Sequence, residues 1–259
     1  MRTQHIALEN RLRKSDIVIS LGVRPNLADY EDWQLALIRD APVIYYPTAF
    51  YADIFDSLGK RTFPGYHTYK YAQDKIKQTA LFGLMNVRHP RTRVFYGKRQ
   101  KSKILNHFDF PFVAKVARGS ALGMGVFLIR NENELKAYLD TGGPAYIQEY
   151  IDIPKDLRVV VIGGKAVHAY WRIGRKDEFR TNVSQGATLS MDDIPDEAVA
   201  FAVDIAGRCR VDDVGLDIYR HEGDYGVLEM NMKYGKAGFR EAGIDYDQMM
   251  EKMIRNDEI

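Results

Sequence analysis

One cysteine, Cys209, is all the chain contains, which excludes an internal disulfide and a thiolate-held metal cluster. It sits in an apolar-periodic stretch, so we expect a buried structural thiol. The six histidines are too scattered to outline a metal site or a base for a Ser-His-Asp arrangement. Long apolar runs are also missing. The longest, such as Val159 to Ile162, falls far below the roughly 20 residues a bilayer requires, so no membrane partner is expected. Met1 to Asp16 alternates charged with single apolar residues and lacks the apolar stretch of a secretory signal; a cytoplasmic protein is the expectation. Charge of one sign is lacking too. Thirty-seven Lys and Arg against 35 Asp and Glu leave +2, too balanced for wholesale attraction to nucleic acid or anionic lipid. No tract is biased enough for collagen, a solenoid or an extended disordered chain.

What is present is an ordinary globular composition, 46% apolar over 259 residues, enough for one large or two small domains. Asp16 to Leu21 and Pro42 to Tyr46 are short β-branched and aromatic runs, with a helical pattern from Glu31 to Asp40 between them, which is β-α-β spacing. A second helix is expected over Thr48 to Leu58, ended by Gly59. Residues 1–68 thus read as a small, mostly parallel α/β unit. Tyr69 to Met85 reads as one connecting helix with Ile76, Ala80 and Leu84 on its buried stripe. From Phe110 onward, strands come in pairs joined by short glycine-containing turns, which favours antiparallel sheet. Strands are expected over Phe110 to Ala117, Val126 to Arg130 and Ala145 to Ile151, with a helix capped by Asn131 running to Leu139. Hairpins over Leu157 to Arg172 and Val214 to Asn231 follow, separated by a helix from Pro195 to Arg208. The fold class is α+β with an α/β start.

The last hairpin carries most information. Leu216, Ile218, Leu228 and Met230 are expected to share the buried face, and period 2 then places Asp217, Glu229 and Asn231 on the other. A three-residue loop, Glu222 to Asp224, would set Asp217 opposite Glu229. Two opposed carboxylates need a cation, and an oxygen-only donor set selects a hard one, Mg²⁺ before Ca²⁺ or Mn²⁺; an accidental acidic pair on a solvated face is the alternative. Arg118 to Gly125 (RGSALGMG) places three glycines and a serine between two strands and can present N–H groups to a phosphate, or can be a plain flexible hairpin. Lys115 stands in an apolar strand, FVAKVA, where a cation is costly unless an anion neutralises it. Arg158, Arg172 and Arg180 add cations of the kind that hold phosphates or carboxylates bidentately. Arg88 to Lys103 carries seven Lys or Arg, no acid, and the aromatic pair Phe95 and Tyr96. It reads as a solvated segment before a nucleic-acid or acidic-peptide surface.

Together, these motifs resemble the ATP-grasp superfamily, most closely its RimK-like carboxylate–amine ligases, over roughly residues 70–254. Asp74-Lys75 resembles the family's first nucleotide lysine; PFVAKVARGSALGMGV resembles the second, Lys115, followed by a phosphate-covering loop with Gly119, Ser120, Gly123 and Gly125. Gln148, Glu149, Tyr150 and Ile151 resemble the adenine-binding hinge, and Asp156 the ribose-side acid. Arg158 and Arg172 match positions near the acceptor and transferring phosphate, Arg180 and Asn182 positions in the nucleotide site, and Asp217, Glu229 and Asn231 the magnesium triad. After Asn231 the family usually continues with a small residue and Ser-Pro-Gly. Here the chain reads Met232-Lys233-Tyr234-Gly235, which places Lys233 near the donor carboxylate.

The resemblance implies an ATP-grasp domain over residues 69–259, two α+β subdomains gripping ATP, with a mobile lid at about residues 108–153, preceded by a short Rossmann-like unit. It implies ATP and Mg²⁺ (or Mn²⁺) as cofactors, and an amide bond made through an acyl phosphate. The partners would be a carboxylate donor and an amine acceptor, a small molecule or an acidic peptide or protein tail. A homo-oligomer is expected. An ATP-grasp kinase and a nucleotide-binding partner protein without turnover are the competing readings.

Overall fold

The computed structural model describes residues 5–117, 125–175 and 186–259. At the N-terminus, β1 (His5–Ala7) is the centre of a parallel sheet, flanked by β2 (Val18–Ser20) and β3 (Ile44–Tyr45), with β4 (Thr62–Phe63) beside β3. The β-α-β expectation therefore holds in direction, but its two strands are separated by β1, three residues too short to stand out as a pattern. Helix α1 (Asp32–Asp40) opens with a capping box between Glu31 and Gln34. Helix α2 (Thr48–Ser57) is followed by Gly59 at φ 68°, the left-handed conformation a glycine supplies cheaply.

The expected connecting helix is two helices, α3 (Tyr66–Tyr71) and α4 (Lys75–Leu84). Asp74 makes the break: its carboxylate accepts from the N–H groups of Ile76 and Lys77, starting a new helix. The buried stripe also differs from expectation. Gln78 and Phe82 face inward while Leu84 is 85% exposed.

Two antiparallel sheets follow. The smaller has the order β5 (Thr92–Phe95), β8 (Ala145–Glu149), β6 (Phe112–Val116), β7 (Val126–Ile129), accompanied by the short basic helix α5 (Gly97–Lys101) and by α6 (Glu132–Leu139), which Asn131 caps. Its core, which includes Phe95, Phe112, Ile129 and Ile147, is separate from the rest of the molecule, and β5 extends this subdomain upstream of residue 108. The larger sheet has the order β11 (Thr188–Ser190), β10 (Lys165–Ile173), β9 (Lys155–Ile162), β12 (Asp213–His221), β13 (Asp224–Asn231). As its middle strand, β9 is buried on both faces, which its valine run anticipates. Helix α7 (Asp196–Arg208), α8 (Ala237–Glu241) and α9 (Tyr246–Arg255) complete the chain. One apolar cluster runs from Ala7, Tyr45 and Phe63 through Val159–Ile162 to Met250 and Ile254, so the N-terminal unit and the large sheet share a core. No described helix is long and apolar enough to cross a membrane.

Candidate active site

The site begins with a row of charges laid across the large sheet by strand register. Arg158 on β9 lies opposite Asp217 on β12, and Asp217 opposite Glu229 on β13. Arg172 on β10 lies opposite Asp156 on β9, two residues before Arg158 and hence on the same face.

The pairing of Asp217 with Glu229 is the expected one, but its cause is not a three-residue loop. The turn has two residues, Glu222 and Gly223, both at positive φ (54° and 93°), as a tight hairpin favours. A β-bulge between Asp217 and Ile218 then restores the odd count. The bulge also changes the faces. Val227 and Met230 are buried, whereas Leu228, expected in the core, lines the cleft described below.

Two opposed carboxylates repel, and here side chains supply the compensating charge. Arg158 grips Asp217 through both Nε and Nη2, and Arg172 reaches Asp156 bidentately and Asp217 Oδ2 at 2.7 Å. Burial alone would lower the pKa of Arg172, but Asp156 and Asp217 outweigh it and hold the guanidinium well above its ordinary value. Glu229 takes Lys75 Nζ at 3.3 Å and the Asn231 amide N–H at 2.8 Å. Burial works against its charge, yet Lys75 and then Lys115 hold its carboxyl well below the usual range. Lys115 is itself pulled down by burial, an effect that Glu229 opposes. Four cations thus surround three carboxylates.

Above this row an open cleft lies between the small and large sheets. Nine of the expected site residues line it: Lys115, Gln148, Glu149, Tyr150, Ile151, Asp156, Arg172, Asp217 and Glu229. Lys75, Arg158 and Asn231 join through the contacts just given. β8 ends at Glu149, so Tyr150 and Ile151 present main-chain groups beyond the ladder. The Gln148 side chain is spent on Thr92 Oγ1 at 3.0 Å. Asp156, expected beside a ribose, has both oxygens on Arg172 and is fully buried. Gly125 sits at φ 81° and its carbonyl accepts from Val116 N–H at 2.7 Å. Gly119, Ser120, Gly123, Arg180 and Asn182 lie outside the described residues.

Sequence reasoning missed two features. Val113, Val126, Ile153 and Leu228 give the cleft apolar walls; alternation marks the two small-sheet residues, Val113 and Val126, but only the bulge turns Leu228 outward. Gln78 is 3% exposed, and its amide makes two hydrogen bonds to the main chain of Met230, donating to the carbonyl at 2.7 Å and accepting from the N–H at 2.9 Å. It clamps β13 between Glu229 and Asn231. The only signal was a glutamine one turn after Lys75.

Among the described residues no group of three or more His, Cys, Asp or Glu could hold a metal by itself. Two carboxylates and an amide are the kind of donors Mg²⁺ takes when phosphates complete its shell, and Asp217, whose two oxygens Arg158 and Arg172 hold, would have to share an oxygen with the ion.

The RimK-like ATP-grasp domain matches residues 72–254, most of the chain. The chain belongs to the RimK-like ATP-grasp family. Relatives carry ligase names. The chain is 30% identical over 192 residues to a coenzyme gamma-F420-2:alpha-L-glutamate ligase of Methanocaldococcus jannaschii, covering 70% of this chain and 66% of that one. It is 29% identical, again over 192 residues, to a ribosomal protein bS6–L-glutamate ligase of Escherichia coli O139:H28, covering 71% and 63%. The match thus spans just under two thirds of these relatives' lengths. A RimK domain ATP-grasp protein from Sphaerobacter thermophilus shares the fold, with a TM-score of 0.71 at 16% identity over 96% of this chain and 98% of that one. The N-terminal residues 5–71 lie outside the family match.

Proposed function

We propose that this RimK-like protein is an ATP- and Mg²⁺-dependent carboxylate–amine ligase. The observation that carries the reading is the row of four cations, Lys75, Lys115, Arg158 and Arg172, interleaved with Asp156, Asp217 and Glu229 at the floor of a cleft between two sheets. Such a floor attracts a polyanion, and burial makes each charge count for more than it does in water. ATP would supply the phosphoryl group, and Mg²⁺ held by Asp217, Glu229 and Asn231 would neutralise its phosphates.

The chain's own residues then have distinct tasks. Val113, Val126, Ile151, Ile153 and Leu228 offer an apolar slot suited to a heteroaromatic base, with main-chain groups of Tyr150 and Ile151 at its edge. Lys75 and Lys115 meet phosphate oxygens, releasing part of their hold on Glu229. Arg158 and Arg172 orient the carboxylate that is phosphorylated and the phosphate that leaves. Asp156 positions Arg172 instead of touching a ribose. Attack of a carboxylate oxygen on the γ-phosphorus gives an acyl phosphate and ADP. Attack of an amine on the acyl carbon then expels phosphate, and the amine loses a proton to complete the amide. An acyl phosphate is sensitive to water, so the small-sheet subdomain acts as a lid that closes during turnover.

Hydroxylamine tests this directly. With L-glutamate, acidic peptides, ATP and Mg²⁺, ADP release accompanied by a hydroxamate is expected. ADP release with a stable phosphate ester and no hydroxamate would make the protein a kinase.

A further inference from the structure

Between Asn231 and α8 the chain has no regular structure, and this is the segment that departs from the family's usual Ser-Pro-Gly. Met232 and Tyr234 turn inward, 3% and 6% exposed, while Lys233 and Gly235 face out. Two arginines take the carbonyls of the inward pair. Arg11 Nη1 donates to the Met232 carbonyl at 3.4 Å, and Arg158 Nη1 donates to the Tyr234 carbonyl at 3.2 Å. With Nε and Nη2 on Asp217, Arg158 is thereby held at both ends, by a carboxylate of β12 and by this loop. Gly215, two residues before Asp217, makes the approach possible: a side-chain carbon there would fall 2.6 Å from Tyr234 Cβ and 2.9 Å from Arg158 Cδ.

Tyr234 is fixed in turn by a buried cluster drawn from β12, α9 and the N-terminal unit. Its hydroxyl donates to Asp213 Oδ1 at 2.7 Å, and the Tyr46 hydroxyl donates to Oδ2 at 2.9 Å. Arg11 stands 4.0 Å from the same carboxylate, donates to the Tyr246 hydroxyl at 3.0 Å, and lies over the rings of Tyr46, Tyr234 and Tyr246. Apolar side chains of the same volume would fill this space without the desolvation cost of buried charges. What the charges add is direction. A guanidinium clasped by three rings and a carboxylate can aim one N–H at a single carbonyl. Arg11 and Tyr46 lie outside the residues that the family match covers.

We infer that Arg11, Asp213 and Tyr234 are positioning residues, which hold the loop after Asn231 so that Asn231 and Arg158 face the metal and the transferring phosphate in a fixed geometry. The inference rests on the nucleotide and Mg²⁺ reading of the site, and it gives the N-terminal unit a part in that site. Each of the three acts through a neighbour. Met232 follows Asn231 directly, so a turn of its peptide re-aims the Asn231 side chain. Release of the Tyr234 carbonyl leaves Arg158 free to shift on Asp217.

The experiment follows binding of the non-hydrolysable ATP analogue AMP-PNP to the whole protein as Mg²⁺ is raised, in wild type, Arg11→Met, Arg11→Lys, Tyr234→Phe and Tyr45→Phe. Tyr45→Phe is the structural control, because that hydroxyl makes a buried bond to the Ile259 carbonyl at 3.1 Å and none to the loop. We expect the Mg²⁺ concentration for half-maximal binding to rise several-fold in Arg11→Met and Tyr234→Phe, by more than the affinity at saturating Mg²⁺ falls. Arg11→Lys should fall between, and Tyr45→Phe should match wild type. In the ligand-free proteins, tryptic cutting after Lys233 should be about tenfold faster in Arg11→Met and Tyr234→Phe than in wild type or Tyr45→Phe, because the flanking residues are no longer pinned. Tyr234→Phe removes one oxygen and keeps the ring, so the test stands even where Arg11→Met does not fold. A Mg²⁺ requirement, or a rate of cutting after Lys233, that is the same in Tyr234→Phe as in Tyr45→Phe would overturn the inference and leave the metal site standing. AMP-PNP binding that ignores Mg²⁺ in wild type would remove the metal site itself, and the positioning role with it.

Discussion

At the scale of single residues, the active-site charges are organised by pairing more than by exposure. Asp156 and Arg172 are 0% and 4% exposed, so neither tolerates the loss of the other. Replacing Asp156 by Ala leaves a buried guanidinium with only part of its compensation, and about 3–5 kcal/mol of stability should disappear. The double change Asp156→Leu with Arg172→Met removes both charges and should recover most of it, which denaturant unfolding of the three proteins would measure. If Asp156→Ala unfolds at the wild-type midpoint, the pair is not the anchor described here. Cys209 offers a test of the opposite kind. Burial disfavours its thiolate and pushes the thiol up to about 11, so the reactive form is scarce at neutral pH. Reaction with a thiol reagent should be slow at pH 8, rise as the pH approaches 11, and become fast in denaturant at pH 8. Rapid native labelling at pH 8 would contradict this.

At the scale of elements, much of the site was legible because register and period are simple. Asp217, Glu229 and Asn231 alternate on paired strands, and Lys115 stands out among valines and alanines, so a ladder and a buried cation can be read from letters alone. What could not be read depends on contacts between distant elements. Leu228 alternates as a core residue, and only the bulge moves it into the cleft. Asp74 reads as one more polar residue in a long helix, yet its side chain satisfies two N–H groups and ends one helix to begin another. Ile76, Ala80 and Leu84 looked like the buried stripe of α4 because they are apolar; Gln78 took the inward face because the Met230 peptide needs a partner there. A consequence follows for α4. Gln78→Met keeps the length and removes both hydrogen bonds, leaving two buried main-chain groups unsatisfied at a cost of about 1–3 kcal/mol. Because Met230 lies between two of the proposed metal ligands, the Mg²⁺ concentration needed for half-maximal ATP binding should rise several-fold, more than the ATP affinity itself falls at saturating Mg²⁺. Gln78→Glu keeps the acceptor for the Met230 N–H and should fall between. An unchanged Mg²⁺ requirement in Gln78→Met would reduce this residue to ordinary packing.

At the scale of the whole molecule, two levels of independence are visible. The small sheet has a core of its own, whereas the N-terminal unit packs one cluster of its own and shares a second with the large sheet. Polar ties reinforce that union: Asp212 accepts from Gly65 N–H at 3.0 Å and from the Thr68 hydroxyl at 2.7 Å, and the Tyr45 hydroxyl donates to the Ile259 carbonyl. The N-terminal unit is therefore tied to the large sheet by packing and by hydrogen bonds, and its parallel sheet was legible only in outline because β1, β3 and β4 have two or three residues each.

The central claim is that Lys115 and the Asp217–Glu229 pair form the floor of one Mg²⁺–nucleotide site. Equilibrium titration of ATP into wild type, Lys115→Met and Asp217→Asn, each with Mg²⁺ and again with EDTA, tests it most directly. The account predicts that EDTA weakens wild-type binding at least tenfold, that Lys115→Met weakens binding in both conditions, and that Asp217→Asn abolishes most of the Mg²⁺ dependence. Tight ATP binding that ignores EDTA and both substitutions would contradict it.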